Sequence, residues 1–435
     1  MRRLAPLVAL VACAPSAAEL RDPVDAEVAH RLGGAMAADP AAIAHLLARP
    51  LDANAATRIA LANSARLAAA FDELGIAGGE LAAATALGPL EIDVQLRWGG
   101  GGHEHEVDAI QPVLGLIEAP RRRAAAHADL AAARATAAAA AIRLAARVDV
   151  AFRDLLAAQQ ELELRTTSFD AADAAATLRE RMRAAGNTTE LAQARERDAR
   201  EQARIDVARA EAMVSTRHLR VSALLGLAGS AQGWTASGRV EDVPAEEPAL
   251  APLEETAVAS SLELAAGRAH VEAAAATLSA ERMQSVLPGL GVGASVIDRD
   301  GTYEVGPAVR IGLPIFDWRS GPRAQARARL AGATHVLAAD AVELRTRARA
   351  VTVEVHAAYV EAKALHDVVL PLRQQILDET LAHYNAMDAD PFQLVMARRE
   401  LVDAGHAYVD AMRRYGNAMA EVHALVRGVA LEEAP

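Results

Sequence analysis

The sequence is poor in aromatic residues and in cysteine. Of its 435 residues, 3% are Phe, Trp or Tyr and one is Cys. Aromatic side chains supply much of the buried area of a compact core, so their scarcity argues against two or three ordinary globular domains at this length. A single cysteine excludes both an internal disulfide and a zinc site built from several cysteines.

The sequence also lacks a long apolar run and an excess of basic residues. No stretch of 18 apolar residues occurs, which excludes a transmembrane helix, so insertion into a membrane would have to use strands. The formal net charge is -12 and no basic tract stands out, which argues against nucleic acid as a partner. No HExxH, GxSxG or phosphate-binding loop is present, and we predict neither catalysis nor a cofactor.

Alanine is what the sequence has in abundance. It occupies about a quarter of all positions, and 52% of the residues are apolar. This composition is typical of long helices whose axes pack closely together.

The N-terminus has the features of a bacterial export signal. A short basic start, Met1 to Arg3, precedes an apolar stretch, and the residues Leu-Val-Ala before Cys13 resemble a lipobox. We therefore predict a signal peptide at 1–12 and lipidation of Cys13, which would anchor the chain if two or more acyl chains are added. The alternative is an ordinary signal peptide whose cysteine is incidental.

The rest of the chain reads as two copies of one unit, about 200 residues apart. Leu191 and Ala194 correspond in spacing to Leu394 and Ala397. The predicted organisation is an N-terminal periplasmic segment (13–53), a first repeat (54–228), a linker (229–252), a second repeat (253–428) and a C-terminal tail (429–435).

Each repeat is predicted to contain a helix, a pair of strands and a long helical hairpin. The helices cover 54–86 and 253–284; the strands cover 90–98, 107–117, 289–297 and 303–315. Residues 91–97 alternate between charged or polar and apolar, which predicts one apolar face and one charged face. An Asp-Gly pair at 300–301 favours a hairpin turn between the last two strands.

Long helices follow each strand pair. Residues 121–185 contain neither Gly nor Pro, which as one helix would extend about 95 to 100 Å. Thr188 or Thr189 is expected to cap the returning helix. In the second repeat the outgoing helix is predicted from Arg323 to a break at 388–391. From Leu394 onward an apolar 3-4 spacing predicts a coiled-coil seam.

These elements predict a membrane pore that one chain cannot build alone. Four strands cannot close a barrel, since even small barrels have about eight, and open sheet edges are costly in lipid. Three copies would supply twelve strands and a ring of long helices below them. Trp98, Tyr303 and Trp318 lie at or near predicted strand ends, where interfacial aromatic residues belong.

The chain resembles the TolC family of outer-membrane efflux proteins over residues 50 to 428. The residues that carry the resemblance are Val305 to Asp317, with a Pro-Ile-Phe motif, Leu61 to Ser64, and Leu224 to Leu227. The resemblance implies a mainly α fold with a small membrane β-barrel portion: an α-barrel of antiparallel hairpins below a shared 12-stranded barrel. It also implies a lipid-anchored homotrimer in the bacterial outer membrane, with a long periplasmic portion, that receives substrate from an inner-membrane pump through a periplasmic adaptor.

The family's acidic rings at the periplasmic aperture have no direct counterpart in this sequence. The positions where they are expected hold Leu394 and Ala397, whereas acidic residues lie slightly earlier, at Asp388 and Asp390. The hypothesis is that these two aspartates form the aperture; the alternative is that they only cap a helix. The adaptor is expected to contact Gly186, Asn187, Thr188, Thr189 and Glu190.

One segment has the residue types of a metal site. His103 and His105 alternate with two glutamates after four glycines, but we interpret residues 99–106 as a flexible external loop and predict no metal there. The alternatives to a channel are a lipidated periplasmic adaptor, which would have one hairpin rather than two repeats, and a coiled-coil structural protein, which leaves the strands unexplained. The sequence does not choose among metal ions, drugs and polypeptides as the exported substrate.

Overall fold

A computed structural model describes residues 15–34, 40–86, 88–99, 102–229, 233–284, 289–299, 301–312 and 319–431. The predicted signal peptide, Cys13, the Pro-Ile-Phe motif and Trp318 lie outside these residues. The described chain is mainly helical with one four-stranded sheet, as the sequence predicted. In chain order the elements are α1 (Ala17–Leu32), α2 (Pro40–Leu47), α3 (Ala53–Asn63), α4 (Ala65–Thr85), β1 (Glu91–Gly99), β2 (Gly102–Pro112), α5 (Leu114–Ala184), α6 (Glu190–Leu224), α7 (Leu253–Ser260), α8 (Leu262–Gln284), β3 (Gly291–Arg299), β4 (Thr302–Arg310), α9 (Ser320–Ala364), a π-helix (Leu365–Val369), α10 (Leu370–Asn385) and α11 (Pro391–Val426).

The chain divides into two compact units. Unit 1 consists of Met1–Glu27, Ala68–Ala139 and Leu262–Glu343, and unit 2 of Val28–Leu67, Ala140–Ser261 and Leu344–Pro435. The order helix, strand pair, long helix and returning helix occurs twice along the chain. The repeat and linker boundaries given above stay a prediction.

The sheet in unit 1 is an antiparallel meander with the order β1-β2-β3-β4. The two strand pairs are joined edge to edge, because β2 pairs with β3 from Glu104 opposite Arg299 to Pro112 opposite Gly291. Strand β2 begins at Gly102 and ends at Pro112, so the predicted flexible loop at 99–106 and the predicted strand to 117 are both wrong. Residues 102–106 form a strand because backbone pairing with the neighbouring strands outweighs the flexibility of the preceding glycines. The strand ends early because α5 begins at Leu114, where the second strand was expected to continue.

Small residues bring the helices of unit 1 together. Gly78 on α4 contacts Leu20 of α1, whose Cδ1 lies 2.5 Å from where a Cβ at Gly78 would be. Ala132 of α5 packs in a buried cluster with Ala266 and Ala269 of α8. Alanine brings helix backbones closer than larger side chains allow, and α5 and α8 use it in this way.

The main apolar core of unit 2 surrounds Phe152 of α5, which is 1% exposed. Leu51, Ile59, Leu225 and Trp234 pack in the same cluster. The linker therefore contributes to the core, although its sequence is polar. Trp234 stacks on His218 of α6 with ring centroids 4.2 Å apart and donates a 3.0 Å hydrogen bond from Nε1 to Oγ of Ser222.

Several predicted helices are divided. The helix predicted at 54–86 ends at Asn63 and resumes at Ala65, and the helix predicted at 253–284 is interrupted at Ser261. In the first break the side chain of Asn63 donates to the carbonyl oxygens of Leu225 and Gly226, at 3.0 and 2.9 Å. The side chain of Asn63 thus supplies hydrogen bonds to carbonyl groups at the end of α6, which stabilises the break between α3 and α4.

The long helices fit the prediction more closely. Helix α5 has 71 residues and continues through Pro120, its seventh residue, although proline there cannot donate a helical backbone hydrogen bond. The second outgoing helix begins near its predicted start, but the π-helix at Leu365–Val369 interrupts it. The predicted seam on α11 is largely confirmed, since Ala397, Ala404, Ala411, Ala418, Val422 and Leu425 are all buried. No helix in the described parts of the chain combines the length and apolar composition needed to cross a membrane.

Candidate functional site

The sheet has an apolar face that the described chain leaves uncovered. Paired residues of antiparallel strands share a face, so the register places Val94, Val107, Val296 and Val305 in one row across all four strands. Val305 is 73% exposed and Ile92 is 65% exposed. The exposed apolar residues of this face are Ile92, Val94, Leu96, Trp98, Val107, Val292, Val296, Tyr303, Val305 and Val309. An apolar surface of this extent indicates contact with lipid or another protein.

The opposite face of the sheet is charged. Arg97 of β1 forms ion pairs with Glu104 at 3.0 Å and Glu106 at 3.3 Å, both on β2. Arg299 of β3 continues the row, 3.3 Å from Glu104 and 3.6 Å from Glu304 of β4. Exposed pairs of this kind contribute little stability. The ion pairs make the charged face favourable for contact with water, whereas the apolar face is not.

Two glycines on β3 shape the charged face at the end where α5 begins. A Cβ at Gly293 would lie 1.9 Å from the backbone oxygen of Ala109, so β2 and β3 approach too closely there for any side chain. Gly291 likewise places no side chain on this face. Arg310 of β4 reaches across the sheet to the carboxylates of Glu91 and Asp93 on β1.

Both outer strands of the sheet have a free edge within the described chain. Strand β1 pairs only with β2, and β4 pairs only with β3. Unpaired edges present rows of backbone donors and acceptors to any further strand.

The turn after α10 holds the two predicted aperture residues. Asp388 accepts a 3.0 Å contact from Nδ1 of His383, and its side chain is 75% exposed. Asp390 is exposed, and its backbone oxygen accepts a 2.9 Å bond from the amide of Gln393. Met387 between them and α10 is 95% exposed and has φ +62°, a backbone conformation unfavourable for a residue with a Cβ.

The predicted adaptor-contact residues form the turn of the first hairpin. Gly186 has φ +77°, and the amide of Asn187 donates a 2.8 Å bond to the carbonyl of Met182, which closes the end of α5. Thr189 is the N-cap of α6, because its hydroxyl accepts a 3.2 Å bond from the amide of Ala192. Thr188 instead accepts a 3.4 Å contact from Arg179. Glu190 begins the helix.

His103 and His105 lie on β2, on the same face as the exposed valines. His103 is opposite Trp98, and His105 lies between Leu96 and Asp298. The two glutamates of the segment point to the other face, where they pair with arginines. Strand alternation therefore separates the histidines from the glutamates, and the described residues contain no group of three potential ligands placed to hold a metal.

Solved structures share this fold over nearly the whole chain. The outer membrane protein VceC from Vibrio cholerae matches with a TM-score of 0.65 and 16% identity, over 95% of this chain and 99% of that one. The CmeC outer membrane channel of Campylobacter jejuni matches with a TM-score of 0.66 and 13% identity, over 88% and 87%. The MtrE outer membrane channel of Neisseria gonorrhoeae gives 0.63 and 17%, over 86% and 89%.

The chain therefore has the TolC-like fold of outer-membrane channels, as its sequence resemblance predicted. No protein-family model and no curated protein matches the sequence. At these identities the likeness is one of fold.

The sequence predicted an apolar face and a charged face, but it did not predict which charged residues pair across the strands. Arg310 and Glu91 are 219 positions apart, so no local pattern announces their contact. The glycines at 291 and 293 were the available signal, because glycine within a strand often marks a close approach of another backbone.

Proposed function

We propose that the chain is the outer-membrane channel of a tripartite efflux system. The observation that carries the proposal is the sheet with one exposed apolar face, one charged face and two free edges. Lipid requires an apolar surface and tolerates no unpaired edge, whereas a water-filled pore requires a polar lining. The TolC-like fold supports the same function.

Closure of the pore requires other copies of the chain. With four strands per chain and about eight needed for even a small barrel, association of β1 with β4 of the next copy removes both edges at once. A homotrimer gives twelve strands. Trp98 and Tyr303, 67% and 71% exposed at the turn end of the sheet, would then lie at the lipid headgroups.

In this proposal the channel acts passively and the chain is not an enzyme. An inner-membrane pump supplies the energy, and a periplasmic adaptor joins pump and channel at the hairpin turns, with Gly186 to Glu190 in contact with it. The chain would lie in the bacterial outer membrane with a long periplasmic portion. Lipidation of Cys13 would add an anchor in the same membrane.

Reconstitution tests the channel directly. The purified full-length protein, extracted from outer membranes, is expected to migrate as a trimer and to produce discrete conductance steps in a planar lipid bilayer. Val305→Asp, on the exposed apolar face, should impair insertion because a charged side chain that faces lipid is destabilising, although Asp costs less than the ~2–4 kcal/mol of Arg or Lys. Glu304→Asp, its neighbour on the charged face, is the matched control. A water-soluble monomer without conductance would contradict the proposal.

The aperture hypothesis has a separate test. If Asp388 and Asp390 line a narrow acidic end, replacing both by Asn lowers the cation-to-anion permeability ratio of the reconstituted channel. Asp378→Asn with Asp403→Asn, on α10 and α11, removes the same charge elsewhere. Equal ratios for the two double variants would favour the alternative, in which the two aspartates act only at the helix ends.

A further inference from the structure

Unit 2 contains a large cavity that is distinct from the sheet and from the hairpin turns. Its volume is about 1100 Å³. Helices α5, α6, α9 and α11 all contribute to its wall, together with the junction of α3 and α4. It is large enough for a drug-sized molecule.

The charged residues of the wall are mostly basic. Five arginines and three glutamates line the cavity: Arg66, Arg147, Arg220, Arg347, Arg414, Glu354, Glu361 and Glu421. All three glutamates are paired with arginines of the same wall. Arg347 contacts Glu421 and lies 3.2 Å from Glu354, and Arg414 lies 2.8 Å from Glu361. Two of the five arginines thus pair with all three glutamates, and the charged side chains of the wall sum to +2.

Two further arginines are available to a ligand. Arg66 at the start of α4 and Arg220 near the end of α6 are both exposed, and neither side chain forms an ion pair or hydrogen bond with any residue that the structure describes. They line the cavity from the first helical repeat, whereas the paired arginines belong to α9 and α11. The excess positive charge is therefore concentrated on one side of the wall.

Apart from Asn63, Ser64 and Asn417, the remainder of the wall has no polar side chain. Leu144 and Val150 of α5, Leu224 of α6 and Ala358 of α9 lie between the charged groups. A surface that combines free guanidinium groups with aliphatic side chains suits a molecule with an anionic group on an apolar body. Guanidinium groups form two parallel hydrogen bonds with carboxylate, sulfonate or phosphate oxygens.

The cavity lies on the side of the helices away from the linker. On α9 the linker contacts His356, which pairs with Glu247 at 2.9 Å, whereas Glu354 and Ala358 line the cavity. Two residues along an α-helix correspond to about 200° of rotation, so these contacts are on opposite faces. The transport part of the proposal places this face of the helices on the interior of the channel.

We propose that this cavity binds organic anions and that the transported substrates include amphiphilic molecules with a carboxylate, sulfonate or phosphate group. Arg66 and Arg220 contact the anionic group, and the aliphatic residues of α5 and α6 contact the apolar body. The substrate assignment rests on the proposed channel function; the binding site itself does not.

Calorimetric titration of the trimer in lipid nanodiscs tests the site. The probe is naphthalene-2-sulfonate, and the uncharged 2-naphthol provides the same ring system without the anion; empty nanodiscs give the blank. Replacing Arg66 and Arg220 together by Gln is expected to weaken sulfonate binding about tenfold, because both guanidinium contacts with the anionic group are lost. Binding of 2-naphthol should stay the same.

The matched control replaces Arg58 of α3 and Arg195 of α6 by Gln. Both are exposed, lie outside the cavity wall and have no charge partner among the described residues, so the variant loses the same charge. Equal sulfonate affinity in the two double variants, or equal weakening of both probes, would overturn the proposal. Circular dichroism of each variant shows that the helices are intact.

Reversal potentials under a salt gradient separate this inference from the channel function. If the channel conducts and Arg66→Gln with Arg220→Gln leaves both sulfonate affinity and anion permeability unchanged, the cavity proposal fails and the channel stands. If no conductance occurs but the sulfonate binds through these arginines, the site stands and the transport assignment fails.

Discussion

The close approach of β2 and β3 makes Gly293→Ala a sharp test of the sheet. The added Cβ would lie 1.9 Å from the carbonyl oxygen and 2.8 Å from the carbonyl carbon of Ala109. Both obstacles are backbone atoms, which cannot rotate away as a side chain can, so the two strands must separate. Overpacking costs about 1–3 kcal/mol, and we expect a loss near 3 kcal/mol in the free energy of unfolding because a ladder is disrupted as well.

Gly306→Ala is the matched control. Gly306 is on the same face of the neighbouring strand β4, and nothing lies within 4 Å of its added Cβ. Alanine there should be neutral or stabilise by about 0.5–1 kcal/mol, since glycine loses more conformational freedom on folding.

Guanidinium unfolding of the detergent-solubilised protein, followed by circular dichroism, gives the two free energies. Hydrogen exchange of the β2 and β3 amides, measured by mass spectrometry, shows where the Gly293→Ala protein has opened. Equal stability of the two variants, or unchanged exchange in β2, would refute the role assigned to the glycine.

Three further changes test unit 2. Asp154, 7% exposed and 3.2 Å from Arg217, is a buried charge with several partners, so Asp154→Ala should cost about 3 kcal/mol of unfolding free energy in a guanidinium titration. Burial raises the pKa of Glu161, but hydrogen bonds from His406 and Arg165 lower it by more than burial raises it. The pKa of this carboxyl is therefore below its ordinary value of 4.5. This lowered pKa stabilises the fold above pH 4.5 and the stabilisation is lost as the pH falls through the folded value. Glu161→Gln should therefore be less stable than the wild type at pH 7, with a difference that shrinks below pH 4.5. Met387→Gly should gain about 1 kcal/mol in the same measurement, because φ +62° strains any residue with a Cβ.

Each of these has its own control. Asp198→Ala removes an exposed carboxylate from α6 and should change stability by less than about 0.5 kcal/mol. The Glu163→Gln variant, two residues from Glu161 and 60% exposed, should follow the wild-type pH curve. Gly186→Ala, at φ +77° in the other hairpin, should lower the free energy of unfolding by about as much as Met387→Gly raises it. A destabilised Met387→Gly protein would mean that its exposed side chain makes a contact that outweighs the strain.

The repeated pattern of elements was predictable because its signals are local. The absence of Gly and Pro from 121–185 predicted most of α5, the 3-4 spacing predicted the buried side of α11, and the alternation at 91–97 predicted the two faces of β1. Thr189 was one of two predicted caps, and its hydroxyl makes the expected bond.

What the sequence did not reveal depends on distant contacts. The histidines after four glycines suggested a loop, but pairing with both β1 and β3 makes the same residues a strand. Asn63 ends α3 because of carbonyls 162 and 163 positions away, and Arg220 reaches a cavity whose other side is formed by α9. No short-range spacing encodes such pairs.

The π-helix at Leu365–Val369 has an evolutionary consequence. A π-turn holds one residue more than the α-turn it replaces, so the side chains that follow are rotated by about 100° relative to those before it. None of its five residues is buried. Loss of one codon here would return the rod to regular α geometry, whereas the same deletion elsewhere in α9 would shift every later buried position out of phase. Indels in this helix should therefore accumulate at this turn.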